Sequence, residues 1–252
     1  MMGREFISGT PEGLLYPRNL TEIAVEKGGR AVIVDAFPEP LCSVHVGRGA
    51  SLIHYRFCDA VDAAVDAVVE AEGKYEAFTV QTSGGNVGMT VSLAGENASC
   101  RSDAVYVSCG DAKGGFVSKI VHNADATFSS QLIKGVLSGT AQETFDGLIL
   151  IPSGHKGIDG SQQHRALLLS DRAQVLAIPR LEIYSDDVKC AHGSAIGDLD
   201  ARQLYYLQTR GVEAGEAQKI LVGAFLNEVT DGIPDETVRE EFVRRIESAL
   251  PF

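Results

Sequence analysis

The feature that most constrains this chain is a long succession of short apolar bursts, separated by tight turns and hardly interrupted by helical pattern. Strand-like segments are predicted at 21–25, 31–36, 41–46 and 51–57, then at 77–82, 88–93, 99–102, 105–109, 116–122, 128–134, 145–151, 166–170, 174–178 and 181–184. Gly28-Gly29 and Gly47-Arg48-Gly49 punctuate the first of them as turns. So many strands in sequence exclude an alternating β-α sheet and leave a sandwich, a barrel or a β-helix. No repeat of fixed length separates the three. Near Gly197 the pattern changes, and from Asp200 onward the apolar residues follow helical spacing.

Three other segments break the strand pattern. Residues 1–19 carry Gly9, Pro11, Gly13 and Pro17 and read as a loose lead-in. In 59–73, Val61, Ala64, Val65, Val68 and Val69 recur at helical intervals, with Asp59 as a candidate N-cap and Gly73 as a stop. One amphipathic helix with an acidic outer face is expected there. The loop 152–163 is glycine-rich and polar; His155 and the following His164 read as solvated. At the C-terminal end three helices are expected. The first is capped by Asp200, with Leu204 and Leu207 on its apolar side. The second runs from about Glu213 to Val229, with Ala217, Ile220, Leu221, Ala224 and Phe225 as its stripe. The third takes Pro234 as its first helical position, with Val238, Phe242, Ile246 and Ala249 as its apolar line. Three short helices cannot bury a core alone, so they must dock on the β region, on each other or on a partner.

A net charge of −12 without a basic stripe argues against nucleic-acid binding. No apolar run reaches the ~18 residues of a membrane span, and the first residues lack the apolar core of a signal peptide. The cytoplasm is the expected compartment, without membrane insertion. Five cysteines, Cys42, Cys58, Cys100, Cys109 and Cys190, contain no CxxC pair and are expected as free thiols in a reducing compartment.

One place pairs a soft ligand with an imidazole: Cys190-Ala191-His192-Gly193. On a strand, residues two apart point to the same side, so Cys190 and His192 would share a face. Two donors are too few to hold a metal ion alone. A lone cysteine is also commonly a small buried apolar residue, so packing is the competing reading. No Walker-type phosphate loop, dinucleotide fingerprint, nucleophile elbow or HExxH motif occurs. Gly110-Asp111-Ala112-Lys113-Gly114-Gly115 reads as a turn. Asp186-Asp187 would face opposite ways on a strand, and no pair of carboxylates suits glycoside hydrolysis.

The run PRLEIYSDDVKCAHGSAIGDLDARQLYYLQTRGV resembles the signature of the SufB/SufD family of iron–sulfur cluster assembly proteins, on its SufD side. SSQLIKGVLSG, FDGLILI, SQQHRALLLSD and MTVSLAGENASCRSDAVYVS fit successive family segments. The likeness is dense over 89–229 and thinner back to about Leu20. It implies a mainly β fold: after the lead-in at 1–19, a right-handed parallel β-helix core over 20–197, then a C-terminal α-helical domain over 198–252. It implies a dimer formed through the β-helix, with a SufB-type chain or a second copy of this one. It also implies a SufC-type ATPase held by the C-terminal helices, with Leu204, Leu207, Leu221 and Phe225 as candidate contacts and no ATP site in this chain. The expected role is a non-catalytic scaffold on which a transient iron–sulfur cluster is shared with the partner subunit. By the resemblance His192 is a cluster ligand near the dimer interface, Cys190 a ligand, a sulfur relay or packing, and His122 structural.

The family commonly has a longer N-terminal region and often an asparagine at the His164 position; the 59–73 helix would be an insertion. Two other readings stay open: a β-helix enzyme acting on carbohydrate, and a purely structural ATPase partner that binds no metal.

Overall fold

The structure, a computed structural model, describes residues 3–11, 13–36 and 38–252. The strands are β1 (Gly3–Ile7), β2 (Leu20–Val25), β3 (Arg30–Asp35), β4 (Leu41–Val46), β5 (Ser51–Asp59), β6 (Ala63–Val69), β7 (Lys74–Thr82) and β8 (Gly85–Leu93). They continue as β9 (Ser99–Ser108), β10 (Lys113–His122), β11 (Phe128–Leu137), β12 (Gln142–Ile151), β13 (Ile158–Leu168), β14 (Gln174–Ile183) and β15 (Val188–Asp198). Three helices follow: α1 (Ala201–Thr209), α2 (Ala214–Thr230) and α3 (Glu236–Ala249). One sheet runs β1-β2-β4-β6-β8-β10-β12-β14 and the other β15-β13-β11-β9-β7-β5-β3. Neighbouring strands pair in parallel. From β2 onward the chain crosses to the opposite sheet at every strand and lands beside its own earlier coil. This is a parallel β-helix, and it selects one of the three architectures compatible with the strand pattern.

Alternation within each strand builds the lumen. In β6, Ala63, Val65, Ala67 and Val69 are buried while Asp66 and Val68 face out. In-register pairing then stacks like on like, as in the column Val87, Phe116 and Phe145. Parallel strands lie about 4.8 Å apart, so each column is a continuous rod of contacts. Turns close the coils with backbone hydrogen bonds, and left-handed residues make them tight: Ala60, Glu72 and Asn97 all have positive φ.

The helix expected at 59–73 is absent. Asp59 ends β5, Ala60 turns the chain, β6 occupies 63–69 and Gly73 belongs to the next turn. The run contains both periods, because Ala and Val fill nearly every position. The β-branched valines favour the strand, and β6 gains ladder bonds from both β4 and β8. The acidic outer face is therefore a set of turn and outward strand positions.

The lead-in is also more ordered than expected, since β1 pairs with β2 along the sheet edge. Met1, Met2 and Glu12 of that segment lie outside the described residues. The polar loop expected at 152–163 shrinks to a turn, because β13 starts at Ile158.

Helices α2 and α3 dock on the outer face of the second sheet, and α1 packs on α2. Tyr55, Phe57, Phe78, Val80, Val105, Val107 and Val136 form one cluster with Val222, Leu226, Val229, Val238, Phe242 and Ile246. Asp200 caps α1 by accepting from the Arg202 N–H at 2.8 Å. Pro234 is not the first residue of α3 but precedes its cap, Asp235, which accepts from the Val238 N–H at 2.9 Å. The buried stripe of α2 is Ala217, Val222, Leu226, Val229 and Thr230. That differs from the expected stripe: Leu221 and Phe225 are half-buried, and Ile220 and Ala224 are exposed. From Ile220 to Leu226 the helix is apolar nearly all round, so sequence defines no single face. Docking chooses it. Lys134 of β11 fastens the choice, donating to the Phe225 carbonyl at 2.5 Å and pairing with Glu228 at 2.7 Å.

Candidate functional site at the open edge of the β-helix

β15 is the last strand of its sheet and pairs on one side only, with β13. The register sets Cys190 beside Gly160, His192 beside Gln162 and Ser194 beside His164. Gly160, Gln162 and His164 all occupy buried, lumen-side positions. Cys190, His192 and Ser194 therefore continue three lumen columns to the point where no further coil covers them. The strand expected at this sequence is present, and Cys190 and His192 share its face.

The two residues sit differently. Cys190 is half-buried, packed against the Ile149, Ile151 and Ile158 cluster. A methyl group added at Gly160 would lie 3.3 Å from Cys190 Sγ, 3.4 Å from Ser129 Oγ and 3.5 Å from His122 Nε2. Thiol, hydroxyl and imidazole thus ring the space that Gly160 leaves empty. Burial pushes the Cys190 thiol up, with the neighbouring Asp159 adding to it and the Gly160 backbone opposing. His192 is exposed. It lines a hollow of about 300 Å³ together with Gln162, His164 and Ser194.

His122 has both ring nitrogens engaged, with Thr127 Oγ1 at 2.8 Å and Ser129 Oγ at 2.9 Å. Burial lowers its pKa to about 4. A fully hydrogen-bonded neutral ring has no free electron pair for a metal. His164 departs from expectation. It is fully buried, not solvated, and stacks on Phe145 with centroids 4.4 Å apart. Its nitrogens reach Tyr106 OH at 2.8 Å and Ser194 Oγ at 3.1 Å, so it ties the edge strand to the lumen. His155, also expected as solvated, is half-buried at its turn, 3.3 Å from Asp125.

Sequence reasoning missed how polar the lumen is. Gln131, Gln162, Glu143 and Ser108 are buried there, and further down Asp35, His54 and Arg56 form a second buried group. The signal was available in the alternation Ile158, Gly160, Gln162, His164, Ala166, whose period is two although two of its inward members, Gln162 and His164, are polar. Among the described residues, no three His, Cys, Asp or Glu side chains gather closely enough to hold a metal ion. Cys190 and His192 remain a two-donor patch.

Nor do the buried Glu143 and Asp103 pair with each other. Glu143 lies inside the lumen, whereas Asp103 is buried under the helices on the outer face, paired with Arg101. The sheet wall separates them.

The candidate partner contacts lie on the helices. Leu204 and Leu207 are the half-buried residues of an α1 that buries none fully. Phe225 lies under the Lys134 ammonium, 4.7 Å from ring centroid to nitrogen, so it serves docking on the sheet. The exposed apolar surface is instead Tyr205, Tyr206 and Ile220. No helix among the described residues is long and apolar enough to cross a membrane.

Comparison with known proteins places this geometry in a family context. The family model described as SUF system FeS cluster assembly, SufBD core domain, matches residues 7–225. Iron-sulfur cluster assembly protein SufD of Escherichia coli K12 is 33% identical over 159 residues, covering 63% of this chain and 38% of the relative. The protein of the same name from Bacillus subtilis is 33% identical over 158 residues, covering 63% and 36%. Protein ABCI7, chloroplastic, of Arabidopsis thaliana is 28% identical over 249 residues, covering 98% and 49%. The chain thus matches about half or less of each of these relatives' length.

Proposed function

This chain belongs to the SufBD core family of the SUF iron–sulfur cluster assembly system, and from that premise we propose that it is a scaffold subunit carrying part of a cluster-building site. The observation that carries the reading is the placement of Cys190 and His192 on one face of an unpaired edge strand. Two donors at an open edge need a second subunit to complete a ligand set. An edge strand offers unpaired backbone groups for that subunit to meet. The partner is a SufB-type chain or a second copy, joined through the β-helix end. The cluster is cargo: it forms across the two chains and is handed on. The chain performs no catalysis itself and binds no ATP.

His192 supplies its imidazole as a ligand. Cys190 supplies its thiolate or carries sulfur to the cluster, with packing against Ile149 and Ile158 as its ground-state position. Anaerobic cluster build-up in the complex with a SufB-type chain and a SufC-type ATPase is the test. We expect His192→Ala to reduce it at least tenfold, and Cys190→Ala to reduce it less. Unchanged cluster yield in both variants rejects the site.

The ATPase is held by the C-terminal helices. The exposed Tyr205, Tyr206 and Ile220 provide the apolar contact, more than the half-buried Leu204, Leu207, Leu221 and Phe225. The double variant Tyr206→Ala with Ile220→Asp should weaken ATPase binding by more than tenfold in a titration while leaving the unfolding midpoint in place. Undiminished binding would remove this surface from the docking site. Five free cysteines fit a reducing compartment.

A further inference from the structure

Gln162 is fully buried, yet neither its Oε1 nor its Nε2 meets a hydrogen-bond partner. Leaving a buried amide atom unpaired is costly, because it gives up its bonds to water without replacement. Such atoms are uncommon in folded proteins, and each calls for an explanation. Gln162 sits in a column that runs Ser102, Gln131, Gln162, His192 through four successive coils. Gln131 also has an unpaired group, its Nε2.

What stands across the lumen explains why these two glutamines differ. Gln131 is met by Ser118, whose hydroxyl donates to Oε1 at 2.5 Å. One coil on, the position in register with Ser118 is Gly147, and the next is Pro179. Neither has a side chain able to bond. A methyl group added at Gly147 would overlap the Gln162 amide, so this glycine clears the space the amide fills. Gln162 therefore has no partner across its own coil. Its polar neighbours along the column are Gln131 beneath and His192 above, about 4.8 Å away per strand step. Gln162 and His192 line the same hollow.

We propose that Gln162 is a positioning residue for His192: its Oε1 accepts the proton of the lumen-facing ring nitrogen and leaves the outward nitrogen with its electron pair free. The ladder then continues inward. Gln162 Nε2 donates to the Gln131 amide oxygen, and Gln131 Nε2 donates to Ser118 Oγ. Amide oxygen and nitrogen are interchangeable by a flip, and a hydroxyl accepts as readily as it donates. Every unpaired amide atom of the column is thereby satisfied. A histidine that ligates a metal characteristically donates its other N–H to an outer partner, which fixes its tautomer and orientation. The inference rests on the reading of His192 as a ligand, but its main test does not.

Long-range proton–nitrogen spectra of the full chain labelled with 15N-histidine report the tautomer of His192 without any metal. The wild type should give a single tautomer. Gln162→Leu, of similar size and unable to bond, should give the mixed population of a free imidazole. Gln162→Glu, which keeps the acceptor, should restore the single tautomer even if Gln162→Leu folds poorly. With Zn2+ as probe and the chain joined to a SufB-type subunit that completes the ligand set, read on the same resonances, Gln162→Leu should weaken binding at His192 about 10- to 100-fold. An unchanged tautomer in a folded Gln162→Leu overturns the proposal, as does a mixed tautomer in the wild type. If instead the tautomer shifts as expected but His192→Ala leaves Zn2+ binding and cluster build-up intact, the positioning holds and the ligand reading fails.

Discussion

Replacing Phe242 by alanine should destabilise the whole chain by about 3–5 kcal/mol, the range for removing a buried aromatic ring. Phe242 is the keystone of the contact between α3 and the second sheet. It is fully buried, and its ring centroid lies 4.8 Å from that of Phe57 and 6.2 Å from that of Tyr55. Those two rings belong to β5, in the first quarter of the chain and far from α3 in sequence. The loss is therefore shared by both elements and should appear as one cooperative urea transition moved to lower denaturant. A separate early transition, with the β signal unaffected, would mean that the helices unfold independently. The same contact bears on truncation. Removing residues 199–252 would uncover Tyr55, Phe57, Phe78, Val105 and Val136 together. An apolar patch of that kind promotes aggregation, so surface substitutions probe ATPase docking better than deletion does.

Glu143→Gln should stabilise the chain at alkaline pH and leave it unchanged in acid. Glu143 is buried in the lumen, where the Ser108 hydroxyl donates to it. Burial raises its pKa from 4.5 to about 7, and the serine only partly opposes this. The folded state thus holds this proton more tightly than the unfolded state does. Between pH 4.5 and 7 the folded chain binds more protons, so stability from this group falls as pH rises. Across that window the loss is roughly 3 kcal/mol, at 1.36 kcal/mol for each pH unit. Glutamine mimics the protonated acid and can still accept from Ser108, so it escapes the loss.

His122 and His164 titrate in the opposite sense. Burial depresses both to about 4, so the stability they contribute as neutral rings is lost as pH falls from 6.5 through 4. They are present in both chains and cancel in the difference. The stability gap between Glu143→Gln and wild type should therefore open from near zero below pH 4.5 to its full value above pH 7. Parallel profiles by chemical denaturation would show that Glu143 is not held in the lumen as described.

The C-terminal switch from strand to helix was legible because it changes the period itself. The cap at Asp200 and the apolar line Val238, Phe242 and Ile246 were legible for the same local reason. The segment 59–73 was misread because alanine and valine at nearly every position satisfy both periods at once. His164 was misread as solvated because its period-two alternation with Ile158 and Ala166 is masked by the polar residues of the stretch. The Cys190 and His192 face was legible as soon as a strand was assumed, since two residues apart means one side. That their strand lies at an edge was not, because edges depend on which strands find partners.

What the sequence determined by itself was local: a long run of strands, free thiols, three helices at the C-terminal end, and a cysteine and histidine on a common face. Periodicity and capping act over a few residues, so their record is written in neighbouring positions. Tertiary structure alone decided which side of α2 is buried, that β6 is a strand, that the lumen is polar around Gln131 and Gln162, and that β15 ends its sheet. Each of these depends on pairing between residues some 20 to 30 or more positions apart, as His192 with Gln162. The register of such pairing is set by the whole coil closing on the one before it.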